Sequence, residues 1–128
     1  MSQPVRPGAV PTIDPGEASR RLTAGSDDPA GPLLVDVREL PELVAGRVEG
    51  AVVIPLSTFE ARFRELPADR QLLVICQSGY RSGLAVGFLA ANGYPDAANV
   101  AGGMSAWQAA GLPFKRGPLT AGEVAPRT

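Results

Sequence analysis

Leu72-Leu73-Val74-Ile75-Cys76-Gln77-Ser78-Gly79-Tyr80-Arg81-Ser82 is an apolar run that ends abruptly in a polar, glycine-containing turn. Four successive apolar residues read as a strand covered on both faces, because a half-exposed strand would alternate. Beyond the turn, Leu84 and Phe88, and Ala85 and Leu89, stand at i, i+4, and Gly93 follows. That spacing predicts a helix from about residue 81 to residue 92. A buried strand feeding a helix through a short turn is the repeating unit of an α/β protein.

Outward from this unit the alternation continues. Leu33-Leu34-Val35-Asp36-Val37 is a second near-continuous apolar run. Ala51-Val52-Val53-Ile54 is a third, stopped by Pro55, and Asn99-Val100 is a minimal fourth. Ile13-Asp14-Pro15 opens a short helix, with Asp14 as N-cap and Pro15 at the first helical position. Further helices are expected over residues 39–45, from a Ser57 cap through Phe59, Phe63 and Leu66, and over residues 104–110 after a tight turn at Gly102-Gly103. Strands that are apolar on both faces need helices on both. The expected fold is α/β, a three-layer α/β/α sandwich around a central, mainly parallel sheet.

Pro4, Pro7, Gly8 and Pro11 mark residues 1–11 as a flexible N-terminal tail. Pro113, Gly117, Pro118, Gly122 and Pro126 mark residues 114–128 as a C-terminal tail, mobile or draped over the surface. Residues 12–113 remain as the domain, and the 128 residues suit one domain of ordinary size. Twelve basic residues, eleven of them Arg, are scattered against thirteen acidic ones. That balance gives no electrostatic reason to expect a nucleic-acid or membrane partner. The first residues lack the apolar core of a signal peptide, and no stretch approaches the roughly 20 apolar residues of a spanning helix. The chain has no His and one Cys, Cys76. The commonest general base is absent, and neither an intramolecular disulfide nor a thiolate cluster for a metal can form. A soluble, cytoplasmic protein is expected.

The chemistry concentrates at Cys76. A thiol between a buried strand and a helix sits at the carboxyl edge of the sheet, where open α/β sheets place ligands. It faces the unpaired N–H groups of the helix N-terminus, which favour thiolate over thiol. Gly79 lets successive N–H groups converge into an anion cradle. Arg81 adds a cation, Ser78 and Ser82 offer hydroxyls, and Tyr80 and Gln77 complete the loop. A lone Cys is ordinarily an inert core residue, but a buried structural Cys requires none of these polar neighbours. Asp36 and Arg38 end a strand on the same edge. They read chiefly as a salt bridge pinning the strand–helix turn, with support of the pocket as the functional alternative. Glu39, Glu42, Arg62 and Arg64 read as solvated helix faces.

Four blocks in order resemble the rhodanese-homology domain, the sulfurtransferase family. They are Leu34-Val35-Asp36-Val37-Arg38; Gly46-Arg47-Val48-Glu49-Gly50-Ala51 with Ile54-Pro55-Leu56; the loop from Cys76 to Ser82; and Gly102-Gly103-Met104-Ser105-Ala106-Trp107. The resemblance implies a parallel sheet wrapped by helices. It also implies a catalytic Cys76 that takes up sulfane sulfur as a persulfide and passes it to cyanide, a thiol or a protein. The remaining loop residues, Gln77 to Ser82, would bind the substrate, and neither metal nor cofactor is called for.

The spacing Cys-x4-Arg is the one associated with sulfur transfer, whereas related phosphatases have one residue more. A Cys-dependent phosphatase or arsenate reductase is the lesser alternative, and a non-catalytic binding module on the same fold is the other. Two positions depart from the pattern. Gln77 stands where many active members carry a basic residue, which weakens attraction for a dianion by ~1 kcal/mol at a screened loop mouth. This bears on thiosulfate as natural donor more than on persulfide chemistry. Arg47 stands where His is common and reads as a scaffold contact. No motif names a donor, an acceptor protein or an oligomeric state.

Overall fold

The computed structural model describes residues 10–124. The strands are β1 (Thr12–Ile13), β2 (Leu33–Asp36), β3 (Val52–Val53), β4 (Leu72–Ile75) and β5 (Ala97–Val100). They form one sheet in the order β1-β5-β4-β2-β3, and every named strand pairing is parallel. The helices are α1 (Pro15–Ala24), α2 (Leu40–Leu43), α3 (Leu56–Arg62), α4 (Tyr80–Ala91), α5 (Gly103–Ala109) and α6 (Ala121–Val124).

Strand alternation divides the core into two layers. Val35, Val37, Leu72, Val74 and Cys76 face one side and pack with Phe59 of α3 and Ala85, Val86 and Leu89 of α4. Leu34, Leu73 and Ile75 face the other and pack with Ala18 of α1 and Met104 and Trp107 of α5. Both faces of β4 are therefore dry, which is why its sequence does not alternate. The expected three-layer sandwich is the observed fold.

Several local expectations change. β1 pairs with β5 through Thr12↔Asn99 and Ile13↔Val100. Two residues ahead of a capped helix carry no period by which to foresee a strand. Ser57 does not cap α3, which starts at Leu56 behind Pro55. Its hydroxyl donates instead to Glu39 Oε1 at 2.8 Å. A 3₁₀ turn, Phe63–Glu65, then ends the helical stretch before Leu66. Asp14 does cap α1, accepting from the N–H groups of Gly16 and Glu17.

Residues 114–124 are draped over the domain. Lys115 bridges antiparallel to Arg47, and the buried Arg47 guanidinium forms a double contact with Glu123 of α6 at 2.6 and 3.0 Å. Arg47 also donates to the carbonyls of Leu43, Gly117 and Pro118, the scaffold role expected for it. Residues 1–9 and 125–128, which include most of the expected N-terminal tail, lie outside the described residues.

Arg47 holds the Glu123 carboxyl well below the usual carboxylate range. This contribution to docking is complete above the ordinary value of about 4.3 and is lost as pH falls from there toward the depressed folded value. Replacing Glu123 with Ala leaves a buried guanidinium short of its anion and is expected to cost about 1–3 kcal/mol. Denaturant unfolding measures that loss. Limited trypsinolysis at neutral pH checks the cause, because cleavage after Arg116 accelerates in the variant if α6 is what holds the segment down.

Candidate active site

Cys76 follows β4 directly, in the middle of the sheet and between the ends of β2 and β5. Its backbone is gripped from below by the first turn of α5. Met104 N–H donates to the Cys76 carbonyl at 2.8 Å, and Ser105 N–H donates to the Gln77 carbonyl at 3.1 Å. This approach requires a glycine at 103. Gly103 has φ +59°, and a Cβ there would overlap the carbonyls of Cys76 and Gln77. With the Gln77 carbonyl turned toward α5, the Ser78 N–H in the same peptide unit is turned the other way, toward the sulfur.

The sulfur lies at the N-terminus of α4. Gly79, in the left-handed region with φ +100°, donates its N–H to Sγ at 3.0 Å. The Ser82 hydroxyl lies 3.2 Å from Sγ. Cys76 is fully buried. Burial pushes the thiol up, but the Ser82 hydroxyl and the N–H groups of Ser82, Gly79 and Ser78 outweigh it and leave the thiol below its ordinary value. The expected cradle of N–H groups around the sulfur is present in the geometry.

Arg81 does not stand over this cradle as a free cation. Its guanidinium pairs side-on with Glu42 of α2 at 2.7 and 2.6 Å. The pair holds the Glu42 carboxyl low and the Arg81 guanidinium high, and the charge on Cys76 adds a smaller stabilisation of Arg81. Thiolate stabilisation thus comes chiefly from hydrogen-bond donors, with Arg81 acting at longer range. Glu42 is no solvated surface residue, because it also accepts from the Glu39 N–H at 3.0 Å and completes a capping box for α2. The Glu-x-x-Glu spacing is visible in the sequence, but nothing in it reveals the partner across the cleft.

Asp36 and Arg38 form the buried salt bridge that pins the turn, with Nη2–Oδ2 at 2.9 Å. Arg38 also donates to the Gly46 carbonyl at 2.7 Å and to Gln77 Oε1 at 3.3 Å. The pair therefore touches the loop only through Gln77, whose Nε2 donates to Ser105 Oγ at 3.0 Å. Ser78 is exposed and Tyr80 is 62% exposed, so neither side chain walls the sulfur. Asn99, which sequence reasoning treated only as part of a strand, contacts both Ser82 and Gly79. A polar residue in a buried strand was the available signal.

Among the described residues no group of three or more His, Cys, Asp or Glu side chains could hold a metal ion. No helix among them is long and apolar enough to cross a membrane. A cavity of about 540 Å³ lies elsewhere, walled by residues including Leu22, Leu34, Trp107 and Phe114, and Cys76 is not part of it.

A family profile described as the rhodanese-like domain matches residues 14–110. Over 105 residues the chain is 36% identical to a sulfurtransferase of Allochromatium vinosum, covering 82% of this chain and 94% of that protein. It is 36% identical over 74 residues to a putative sulfur carrier protein, YrkF, of Bacillus subtilis, covering 58% of this chain and 40% of that relative. The crystal structure of a rhodanese-related protein from Thermoplasma volcanium superposes with a TM-score of 0.71 at 30% identity, covering 82% of this chain and 97% of the other. The profile runs from the cap of α1 to the residue after α5, taking in every strand but β1, and the chain belongs to the rhodanese-like domain family, a family of sulfur transfer.

Proposed function

We propose that the protein is a sulfurtransferase that carries sulfane sulfur as a persulfide on Cys76. The observation that carries this reading is the sulfur itself, set against the Gly79 N–H at the N-terminus of α4, with no base beside it and an acidity raised by hydrogen bonds. A thiolate attacks sulfur without proton transfer, so the absence of His is no obstacle.

In the loading step the Cys76 thiolate attacks the outer sulfur of a donor such as thiosulfate. The Sγ–S bond forms, the donor S–S bond breaks, and its electron pair leaves with sulfite. The loop N–H groups then serve the terminal persulfide anion as they served the thiolate. In the discharge step an acceptor nucleophile, cyanide, a thiol or a thiol-bearing protein, bonds to the outer sulfur, and the Sγ–S electron pair returns to Cys76. Because Cys76 is fully buried, each step follows a local opening of the loop, whose exposed Ser78 and Tyr80 lie at its mouth.

The four residues between Cys76 and Arg81 favour sulfur over phosphate, since a tetrahedral phosphate needs a wider cradle. Neither donor nor acceptor requires a metal or cofactor in this scheme. Cytoplasmic residence fits a single reduced thiol at the centre of the chemistry.

The intact mass of the reduced protein tests the reading. Thiosulfate or an alkyl persulfide is expected to add one sulfur atom, mapped to Cys76 and released by cyanide as thiocyanate, and Cys76→Ser is expected to add none. A folded protein that gains no sulfur from any of thiosulfate, mercaptopyruvate and an alkyl persulfide would favour a binding module instead. The site also separates donor binding from sulfur activation. Gln77→Arg is expected to lower the KM for thiosulfate about fivefold with kcat little changed, the equivalent of ~1 kcal/mol at a screened mouth. Arg81→Ala is expected to slow loading from thiosulfate at least tenfold, which stopped-flow mass analysis would follow. Its alkylation by iodoacetamide should change much less, because the thiolate is held mainly by hydrogen bonds.

A further inference from the structure

The Ser82 hydroxyl has one proton and two claimants. Its Oγ lies 3.2 Å from Cys76 Sγ and 2.5 Å from Asn99 Oδ1. The orientation of Asn99 is not free, because its Nδ2 donates to the Gly79 carbonyl at 3.0 Å. Turning the amide over would set Oδ1 against that carbonyl, two acceptors face to face. Oδ1 therefore faces Ser82, and only a donated proton makes so short an oxygen–oxygen contact favourable.

While Cys76 is a thiol the arrangement closes on itself. The S–H donates to Ser82 Oγ, and Ser82 O–H donates to Asn99 Oδ1. Once Sγ is anionic, the same hydroxyl serves the sulfur only by leaving Asn99. We propose that Asn99 is a positioning residue that competes with Cys76 for the single Ser82 proton, holding it while Sγ is protonated or capped and yielding it when Sγ becomes a thiolate. The N–H groups of the cradle are fixed donors, whereas the Ser82 hydroxyl is a donor that can be withdrawn.

The consequence for turnover rests on the sulfurtransferase reading. In the persulfide Sγ is two-coordinate and neutral, and it needs no donor, so Ser82 remains with Asn99. As an acceptor bonds to the outer sulfur and the Sγ–S pair collapses onto Sγ, the hydroxyl turns to the departing thiolate as a hydrogen-bond donor, with no proton transferred. Asn99 thus keeps the resting thiol less acidic than the cradle alone would make it. That preserves nucleophilicity, which falls as thiol pKa falls.

The charged groups around Cys76 stay constant through this exchange. Arg81 on α4 is paired with Glu42 on α2. Asp36, the last residue of β2, and Arg38 just after it are paired with each other, and Arg38 donates to the loop at Gln77. On β5 and α5 the neighbours are the uncharged Asn99, Met104 and Ser105.

The test is the pH profile of Cys76 alkylation by iodoacetamide, measured on the full chain as wild type, Asn99→Ala, Ser82→Ala and the double variant. This readout needs no sulfur donor, so it stands or falls separately from persulfide formation, which the mass gain of the wild type decides. Asn99→Ala is expected to lower the midpoint by roughly 0.5–1 pH unit, the worth of one hydrogen bond. At a pH below both midpoints this is three- to tenfold more thiolate. In the Ser82→Ala background the same substitution is expected to leave the midpoint where it was. A midpoint unchanged or raised by Asn99→Ala overturns the proposal, as Asn99 would then act only by anchoring the Gly79 carbonyl. A midpoint lowered at least half as much without Ser82 overturns it as well. Should Asn99→Ala lose its cooperative unfolding transition, the near-isosteric Asn99→Leu carries the same comparison.

Discussion

The pair of hydrogen bonds from the first turn of α5 to the carbonyls of Cys76 and Gln77 is the constraint on which the site depends. A peptide unit that points its carbonyl one way points its N–H the other. By engaging both carbonyls from below, α5 fixes the orientation of the Gln77 and Ser78 N–H groups, the second of which faces the sulfur beside those of Gly79 and Ser82. The grip exists because Gly103 has no side chain to hold the two backbones apart. β4 delivers the thiol to the sheet edge, where the start of α4 meets the sulfur and α5 holds the backbone that joins the two. The dependence also explains a cradle without a lysine or histidine, since its polarity is carried by main chain that side-chain substitutions in the loop do not remove.

Side-chain charge is handled differently, by pairing. Arg38 is bound to Asp36, Arg81 to Glu42 and Arg47 to Glu123. Two of these arginines are almost wholly buried, where a guanidinium left without its carboxylate is destabilising. Among the described residues no buried side-chain polar atom lacks a partner. Two of the pairs knit segments distant in sequence, α2 to α4 and the 47 region to α6, and in all three the positive charge sits beside a carboxylate. What remains at the sulfur is local and directional. A donor anion arriving at the mouth meets Arg81 already engaged with Glu42, so the pair that positions the cation also moderates its pull.

The fold was legible because burial on both sheet faces leaves an unmistakable trace, as in Leu72–Ile75. Helix starts were legible where a cap makes a local bond, as at Asp14, and misplaced where a plausible cap was drawn elsewhere, as with Ser57 toward Glu39. β1 was invisible because two residues hold no period, and its existence depends on the open edge of β5 beside it. At the site, the placing of Gly79 and Ser82 beside Cys76 was readable from composition and spacing, since those contacts are local. Glu42 and Asn99 were not, because each matters through a partner on another element, Arg81 for one and Ser82 with Gly79 for the other. What docks residues 115–123, a segment left open between mobile and draped, was hidden for the same reason. A segment rich in Pro and Gly looks loose until the buried Arg47 that needs its carboxylate is found.

A sulfur that cycles through thiol, thiolate and persulfide poses a problem that fixed donors cannot solve alone. Rigid N–H groups favour every anionic state, and enough of them would make the thiolate too stable to attack. Burial opposes them, since desolvation penalises the anion. At Cys76 both act, burial raising the thiol and the donors at the helix end outweighing it. The Ser82 hydroxyl is among the donors that decide this. It lies within reach of both Sγ and Asn99. Its value lies in being able to turn away, because a donor engaged only while charge sits on Sγ supports the cleavage that returns the thiolate without stabilising the persulfide that precedes it.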